Sequence, residues 1–478
     1  VSLDQDTGAR RLTALLTEDP QVRAARPLGD VHARVTAPGS PLGAIVEAAM
    51  TGYADRPALG FRRTELVPDP HGATVRRTVA EFEVITYRTL WERARAVAAA
   101  WYADGVRAGD FVAMLGFTGV DYTVLDLAVI HLGAVAVPLQ SGAGAAQTRA
   151  ILDETTPKVV AVDIGHLGTA VEVLAAATAP PMLVVFDYFA DDDSHREALG
   201  AARDTVPDIR TLAEVLAHGS RVTPAPHVEP DDDALALLIY TSGSTGTPKG
   251  AMYTRRLVAA GWQPTRPYAV INVNFLPMSH IAARLTLDAA LARGGTAYFT
   301  AAPDISTLFE DIALVRPTEI FLVPRVCELI QQHYRDVRER HPELTDDQVR
   351  TSLREELLGG RLLTVSCGSA PIAADLCAFV ESVLELRLHD GYGSTETGGG
   401  VIFDTRVMRP PVLDYKLVDV PELGYFGTDK PYPRGELLLK TTTMIAGYYR
   451  RPEATAAVFD ADGFCRTGDI VAELGPTG

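Results

Sequence analysis

Residues 241–250 read Thr241-Ser-Gly-Ser-Thr-Gly-Thr-Pro-Lys-Gly250 and follow directly on an apolar, strand-like run, 234–240. That junction constrains the chain more than any other feature, because it places two Gly-containing Ser/Thr turns at the end of a sheet strand. Gly243 and Gly246 allow turns that residues with a Cβ resist, so backbone amides and the hydroxyls of Thr241, Ser242, Ser244 and Thr245 can converge on an anion. Lys249 adds a mobile cation. The run is therefore read as a phosphate-handling loop. It is not a Walker loop: that frame puts Pro248 where Gly is required and Gly250 where a magnesium-binding hydroxyl is required.

Charge sharpens this reading. The 478 residues carry 44 basic against 61 acidic side chains, a formal charge of −17, which argues against nonspecific binding to nucleic acid or to an anionic membrane. A phosphate must then be met by a locally positive site. Apolar residues make up 47% of the chain, enough for two or more packed lobes. Cys327, Cys367, Cys377 and Cys465 show no CxxC spacing and form no disulfide framework. No apolar run reaches the ~18 residues that span a bilayer. A soluble, cytoplasmic monomer with reduced thiols is the expectation.

Periodicity places the loop within an α/β fold. From Thr86, a candidate N-cap, the positions Leu90, Ala94, Val97 and Trp101 recur at helical spacing. A strand at 111–115, a helix around 122–131 and a strand at 134–138 describe a βαβ unit, and strands at 159–162 and 183–186 extend it. The acidic, proline-bearing stretch 223–233 reads as a linker to a second unit. That unit holds a helix over 306–315, a strand at 319–323, a helix opened by Pro324, and strands near 362–365 and 386–388. Helices are expected to disappear after about residue 400. The resulting division is a helical extension (1–45), a first α/β subdomain (46–230), a second α/β subdomain with the nucleotide motifs (231–405) and a β-rich subdomain (406–478). Both α/β units are expected to be mainly parallel sheets covered by helices.

Four segments in order, 241–250, Phe275-Leu-Pro-Met-Ser-His280, Gly391-Tyr-Gly-Ser-Thr-Glu-Thr397 and Arg466-Thr-Gly-Asp469, resemble the adenylate-forming superfamily. This group includes acyl-CoA synthetases, peptide-synthetase adenylation domains and carboxylic acid reductases. The resemblance implies that residues Thr241 to Lys249 embrace the β- and γ-phosphates of ATP, that Thr395 contacts the α-phosphate, and that Glu396 helps hold Mg²⁺. Those residue types suit those roles: hydroxyls donate to phosphate, and a carboxylate is a hard oxygen ligand. Taken alone, Ser394-Thr-Glu-Thr397 reads as a helix N-cap with its capping acid. The resemblance further implies that Tyr392 stacks on adenine, opposite a turn at Gly368-Ser369-Ala370-Pro371, with Asp390 and Gly391 completing the wall. Asp469 matches the acid that bonds the ribose hydroxyls. His280 matches the histidine where the acid meets the phosphate. It would orient the carboxylate and not act as a general base, since a carboxylate is already ionised at neutral pH.

Within the superfamily the chain most resembles the adenylation domains of carboxylic acid reductases, through the runs 52–60, 321–329 and 414–426. Such enzymes adenylate an acid, transfer the acyl group to a phosphopantetheine thiol on a carrier domain, and release an aldehyde using NADPH. The alternatives are an acyl-CoA or aryl-CoA synthetase core, and a nucleotide-binding fragment with little turnover. The resemblance also implies a hinge and a mobile C-terminal subdomain carrying a catalytic lysine beyond Gly478. A chain without them is expected to bind ligands and turn over poorly. Departures from the family pattern at Ala283 and at Thr397-Gly-Gly-Gly400 bear on the acid pocket, whereas Cys465, in place of an aromatic, is expected to matter little. Segments 271–280, 368–372 and 391–400 are expected to line that pocket with small and apolar groups. They offer no acidic partner for an α-ammonium, which favours an aryl or aliphatic acid over an amino acid.

Overall fold

The alternation of short, fully apolar runs with helices produces two sheets. The computed structural model describes residues 5–175, 180–206, 208–242, 248–264 and 267–475. The first sheet has seven strands. Its spatial order is Ile209–Thr211, Met182–Phe186, Val159–Asp163, Phe111–Leu115, Val135–Leu139, Leu235–Ser242 and Pro248–Thr254, all parallel except the last pair. The nine-stranded sheet runs Arg406–Val407, Gly399–Phe403, Leu388–Ser394, Thr364–Gly368, Glu319–Leu322, Ile271–Asn274, Thr296–Phe299, Pro57–Pro68 and Thr74–Thr86. Its centre is parallel and both edges are antiparallel.

Side-chain alternation along the strands sorts the core into layers. Met114, Ala161, Val184 and Ile239 of one sheet share a core with Leu59, Ala297 and Phe299 of the other, joined by helices Leu42–Gly52, Tyr87–Ala103, Val120–Leu132 and Ile281–Ala292. These helices are therefore sandwiched between the sheets. Val120–Leu132 is buried at every position from Tyr122 onward, as a helix that is apolar all round must be. The opposite faces carry separate cores, with Ala113, Val160 and Val162 on one outer face and Ile320, Leu322, Val365 and Cys367 on the other.

The βαβ unit read from periodicity is present, and Thr86 caps the helix before it, Tyr87–Ala103, its hydroxyl accepting from the amide of Thr89. The sheets do not follow the linear boundary at residue 230. Strands 235–242 and 248–254 complete the seven-stranded sheet, while the hairpin 57–86 completes the nine-stranded one. The stretch 223–233 has no helix or strand, yet it is tied down by Glu229, which pairs with the buried Arg255 at 2.6 Å and accepts from the Gly43 amide. A local composition rule sees the loop but not the long-range pairing on either side of it.

The amino-terminal helices Gln5–Glu18 and Pro20–Ala24 lie against the outer core of the nine-stranded sheet through Leu15, Leu16 and Val22. A third sheet, Val412–Val418, Arg434–Thr441 and Cys465–Ala472, is antiparallel. Beside it stands helix Pro452–Val458, which corrects the expectation of no helices past residue 400. Proline at its first turn, followed by Glu-Ala-Thr-Ala-Ala, is a helix start that its short length concealed. The cysteines are free thiols, and among the described residues no helix is long and apolar enough to cross a membrane.

Candidate active site

Parallel strands of the nine-stranded sheet end on one edge, and the loops beyond those ends hold most of the residues singled out from the sequence. A cavity of about 640 Å³ opens there, and its walls bring together Thr241, Lys249, His280, Ser369, Gly391, Thr395 and Glu396. Thr241 and Lys249 arrive from the facing strands 235–242 and 248–254, where they are register partners. Residues 243–247, including Gly243, Ser244, Thr245 and Gly246, and the side chain of Ser242, lie outside the described residues.

Ser394-Thr-Glu-Thr397 is not a helix N-terminus. It is a turn between the antiparallel strands Leu388–Ser394 and Gly399–Phe403. Ser394 and Thr397 exchange hydrogen bonds, Ser394 N donating to Thr397 Oγ1 at 2.9 Å and Thr397 N to Ser394 Oγ at 3.2 Å. That reciprocity imitates a capping box, which explains the sequence signal. The glycines permit the sharp return: a Cβ on Gly393 would collide with the Gly399 carbonyl, and Gly398 takes a positive φ against the Thr443 carbonyl.

Tyr448, absent from the sequence-based candidates, organises this end of the cavity. Its hydroxyl donates to Glu396 Oε1 at 2.6 Å, and Lys249 Nζ lies 5.6 Å from its ring centroid. Burial, and then the Glu396 hydrogen bond, push the Tyr448 phenol above its ordinary pKa, so it remains a donor. Tyr253 likewise donates to the Thr395 carbonyl at 2.6 Å. Among the described residues no three His, Cys, Asp or Glu side chains cluster as a metal site; Glu396 brings a single carboxylate to the cavity wall, with Oε1 held by Tyr448.

His280 precedes helix Ile281–Ala292 as its N-cap. Partial burial desolvates its ring and lowers its pKa below the usual imidazole value. The turn that carries it is held from below. Arg284 Nε donates to the Met278 carbonyl at 3.0 Å, while Arg284 NH1 donates to both oxygens of Asp126 at 3.0 Å. Sequence reading stopped at His280 and missed this support, whose partner Asp126 lies 158 positions away.

The remaining candidates adjoin the cavity without lining it. Tyr392 donates to Asp469 Oδ2 at 2.6 Å, so two motifs 77 positions apart meet. Gly368 pairs in register with Gly391, and Cys367 with Asp390. Ser369 sits at φ +69°, a left-handed conformation that turns the chain sharply before Ala370. Partial desolvation and then the nearby Asp404 carboxylate raise the Asp390 pKa. The other wall of the cavity was not foreseen: one helix face, Ile281, Ala282, Leu285, Thr286 and Ala289, opposes Glu319 and Phe321 of the sheet. Gly399 and Gly400 contribute to the lining, whereas Ala283 is buried behind it.

Two stacked, mainly parallel sheets, with the strand ends at Thr241 and Lys249, a histidine turn and a Gly-Tyr-Gly strand end around one cavity, define the class of AMP-binding enzymes. A model of the family described as AMP-binding enzyme matches residues 47–449, and the chain belongs to that family. A curated carboxylic acid reductase of Mycobacterium tuberculosis is 50% identical over 100% of this chain and 42% of its own length. The chain thus spans less than half of that relative. The crystal structure of the adenylation domain of a Mycobacterium chelonae carboxylate reductase matches with TM-score 0.96 at 50% identity, covering 99% of this chain and 76% of that one. The adenylation domain of the Segniliparus rugosus carboxylic acid reductase, solved with AMP and a co-purified carboxylic acid, matches with TM-score 0.94 at 46% identity over 98% and 78% of the two chains. Within its family the chain is an adenylation domain of the carboxylic acid reductase kind.

Proposed function

We propose that this chain joins a carboxylic acid to ATP, forming an acyl-AMP and releasing pyrophosphate, as the first step of an aldehyde-forming enzyme. The observation that carries the reading is the convergence of Lys249, His280, Thr395 and Glu396 on one cavity that continues along the helix face of Ile281, Ala282, Leu285 and Ala289. The acid's oxygen attacks the α-phosphorus, and the protein's task is to gather anions and stabilise charge developing on phosphorus. Lys249, with the Thr241–Thr245 loop, takes the β- and γ-phosphates, and the Thr395 hydroxyl takes the α-phosphate. Asp469 and Tyr392 receive the ribose and adenine beside Ser369, Ala370, Asp390 and Gly391. His280, kept neutral by its surroundings, orients the carboxylate without competing for its charge.

The residues fit Mg²⁺, which usually keeps several waters and takes one or two carboxylates along with substrate phosphates. Glu396 would hold it. Bound there, it would supply positive charge toward the phosphates, while Tyr448 fixes the Glu396 carboxylate's rotamer. The acyl group then passes to a phosphopantetheine thiol on a carrier domain, and NADPH reduces it, in parts of the protein outside this chain. The unit works as a cytoplasmic monomer.

Calorimetric titration with ATP·Mg²⁺ and with AMP, each with and without benzoate or octanoate, tests the reading. Saturable nucleotide binding that one acid class strengthens is expected. A folded sample whose nucleotide binding no acid alters would sink it.

A further inference from the structure

The acid pocket has a polar end, and the geometry points to an acid that carries a neutral hydrogen-bond donor, a hydroxyl, at the end remote from its carboxylate. This inference rests on the adenylation reading and extends it to the substrate's far end.

The pocket's length follows from its walls. His280 caps helix Ile281–Ala292 at the reacting end, and the lining positions Ile281, Ala282, Leu285, Thr286 and Ala289 run down one face of that helix. Ile281 and Ala289 are about 12 Å apart along the axis. The opposite wall agrees. Ile320 and Leu322 belong to the outer core, so Glu319 and Phe321 point inward. Glu319 opens its strand, level with Asn272 and Thr364 and about 10 Å before the reacting edge at Leu322. Ala289 and Glu319 therefore mark the same remote end of one cavity.

What closes that end is a fixed ionic group. Glu319 Oε2 accepts from Tyr268 OH at 2.6 Å and from Arg293 NH1 at 3.4 Å, while among the described residues Oε1 accepts only from Arg293 NH2, at 3.3 Å. Arg293 is anchored in turn, its Nε donating to the Ala289 carbonyl at 2.9 Å and its guanidinium lying 4.5 Å from the Tyr268 ring centroid. The Glu319 side chain is 15% exposed against 5% for Arg293, so the cavity meets the carboxylate and not the guanidinium. An ionised carboxylate has about four acceptor sites, and these bonds occupy three of them. The lining between is mostly apolar, from Ile281, Ala282, Leu285, Ala289 and Phe321, with Thr286 bonding its hydroxyl to the Ala282 carbonyl and Ser366 on the strand beside Phe321. A methyl terminus would cover the remaining lone pair of Oε1 and deprive it of solvent's hydrogen bond. A hydroxyl replaces it. An ammonium is disfavoured, because Arg293 already neutralises Glu319 and would repel a second cation.

The test is calorimetric titration of the chain, saturated with AMP, with octanoate, 8-hydroxyoctanoate and 8-aminooctanoate. The hydroxy acid is expected to bind about tenfold more tightly than octanoate, the amount one unmade hydrogen bond to a buried acceptor accounts for, and the amino acid most weakly. In Glu319→Gln the preference should shrink several-fold. In the double variant Glu319→Leu/Arg293→Leu, which leaves no unpaired buried charge, octanoate should become the tighter ligand. Equal or tighter binding of octanoate by the unmodified chain, tightest binding of the amino acid, or an unchanged preference in the folded double variant overturns the inference and leaves the adenylation reading standing. If none of the three acids nor benzoate couples to AMP, the adenylation reading fails and this inference with it.

Discussion

At the scale of single residues, the cavity divides by charge. Lys249 faces the place given to the outer phosphates, whereas Asp469 and Tyr392 meet at the place given to the nucleoside. Lys249→Ala is therefore expected to weaken ATP binding about tenfold or more, as a lost charge-assisted contact does, and to leave AMP nearly unchanged. Asp469→Ala should weaken both nucleotides alike. Titration of the two variants with the two nucleotides checks this, and equal loss of ATP and AMP in Lys249→Ala would remove the lysine from its assigned place. His280 supports a second expectation. Desolvation depresses its folded pKa below the ordinary ~6.5, so the neutral ring is the favoured form in the fold. The resulting stability is fully present above the ordinary value and is lost as pH falls below it toward the folded pKa. A histidine NMR titration should place the His280 midpoint below 6.5, and His280→Asn should flatten the stability profile in that window. A midpoint at or above the ordinary value would contradict both.

At the scale of elements, sequence and structure agree where chemistry is local and part where it is not. Thr86, Pro324 and the apolar runs at 111–115 and 159–162 announced their helices and strands because caps and buried parallel strands leave signals within a few residues. The motifs named Lys249, His280, Thr395 and Glu396, and the fold brought them to one cavity. Ser394–Thr397 misled when taken alone, because a tight β-turn closed by Ser and Thr hydroxyls uses the same residues as a helix cap. Tyr448, Glu319 and the helix face 281–289 were illegible, since nothing in their own neighbourhoods distinguishes them from core. Arg284 belongs with these. It ties helix Ile281–Ala292 to helix Val120–Leu132 through Asp126, and holds the Met278 carbonyl beneath the histidine turn. Arg284→Met should cost about 3–5 kcal/mol, because it leaves a buried aspartate unpaired. Adding Asp126→Asn should recover much of that stability but not the Met278 bond, so acid binding should remain weakened in the double variant. Urea denaturation and acid titration separate the two effects; full recovery of acid binding would reduce Arg284 to a packing residue.

At the scale of the whole molecule, the site is where three sheets are stitched together. The loop after strand Arg434–Thr441 does the stitching: Ile445 N bonds the Glu396 carbonyl, Thr443 Oγ1 the Thr397 carbonyl, and Tyr449 N the Gly250 carbonyl, while the Gly447 carbonyl accepts from Met252 N. Arg451 then pairs with Glu154 at 2.8 Å, on the far side of the seven-stranded sheet. ATP held as proposed, by Thr241 and Lys249 from one sheet, Thr395 from the second and Asp469 from the third, would close contacts among all of them at once. Its binding free energy should emerge as stability of the whole, and ATP·Mg²⁺ at a hundredfold excess over its Kd should add about 2.7 kcal/mol. Differential scanning calorimetry should show one transition that ATP·Mg²⁺ moves upward as a unit. Two transitions, one of them indifferent to ATP·Mg²⁺, would mean that a sheet unfolds on its own and that the nucleotide does not bridge the three.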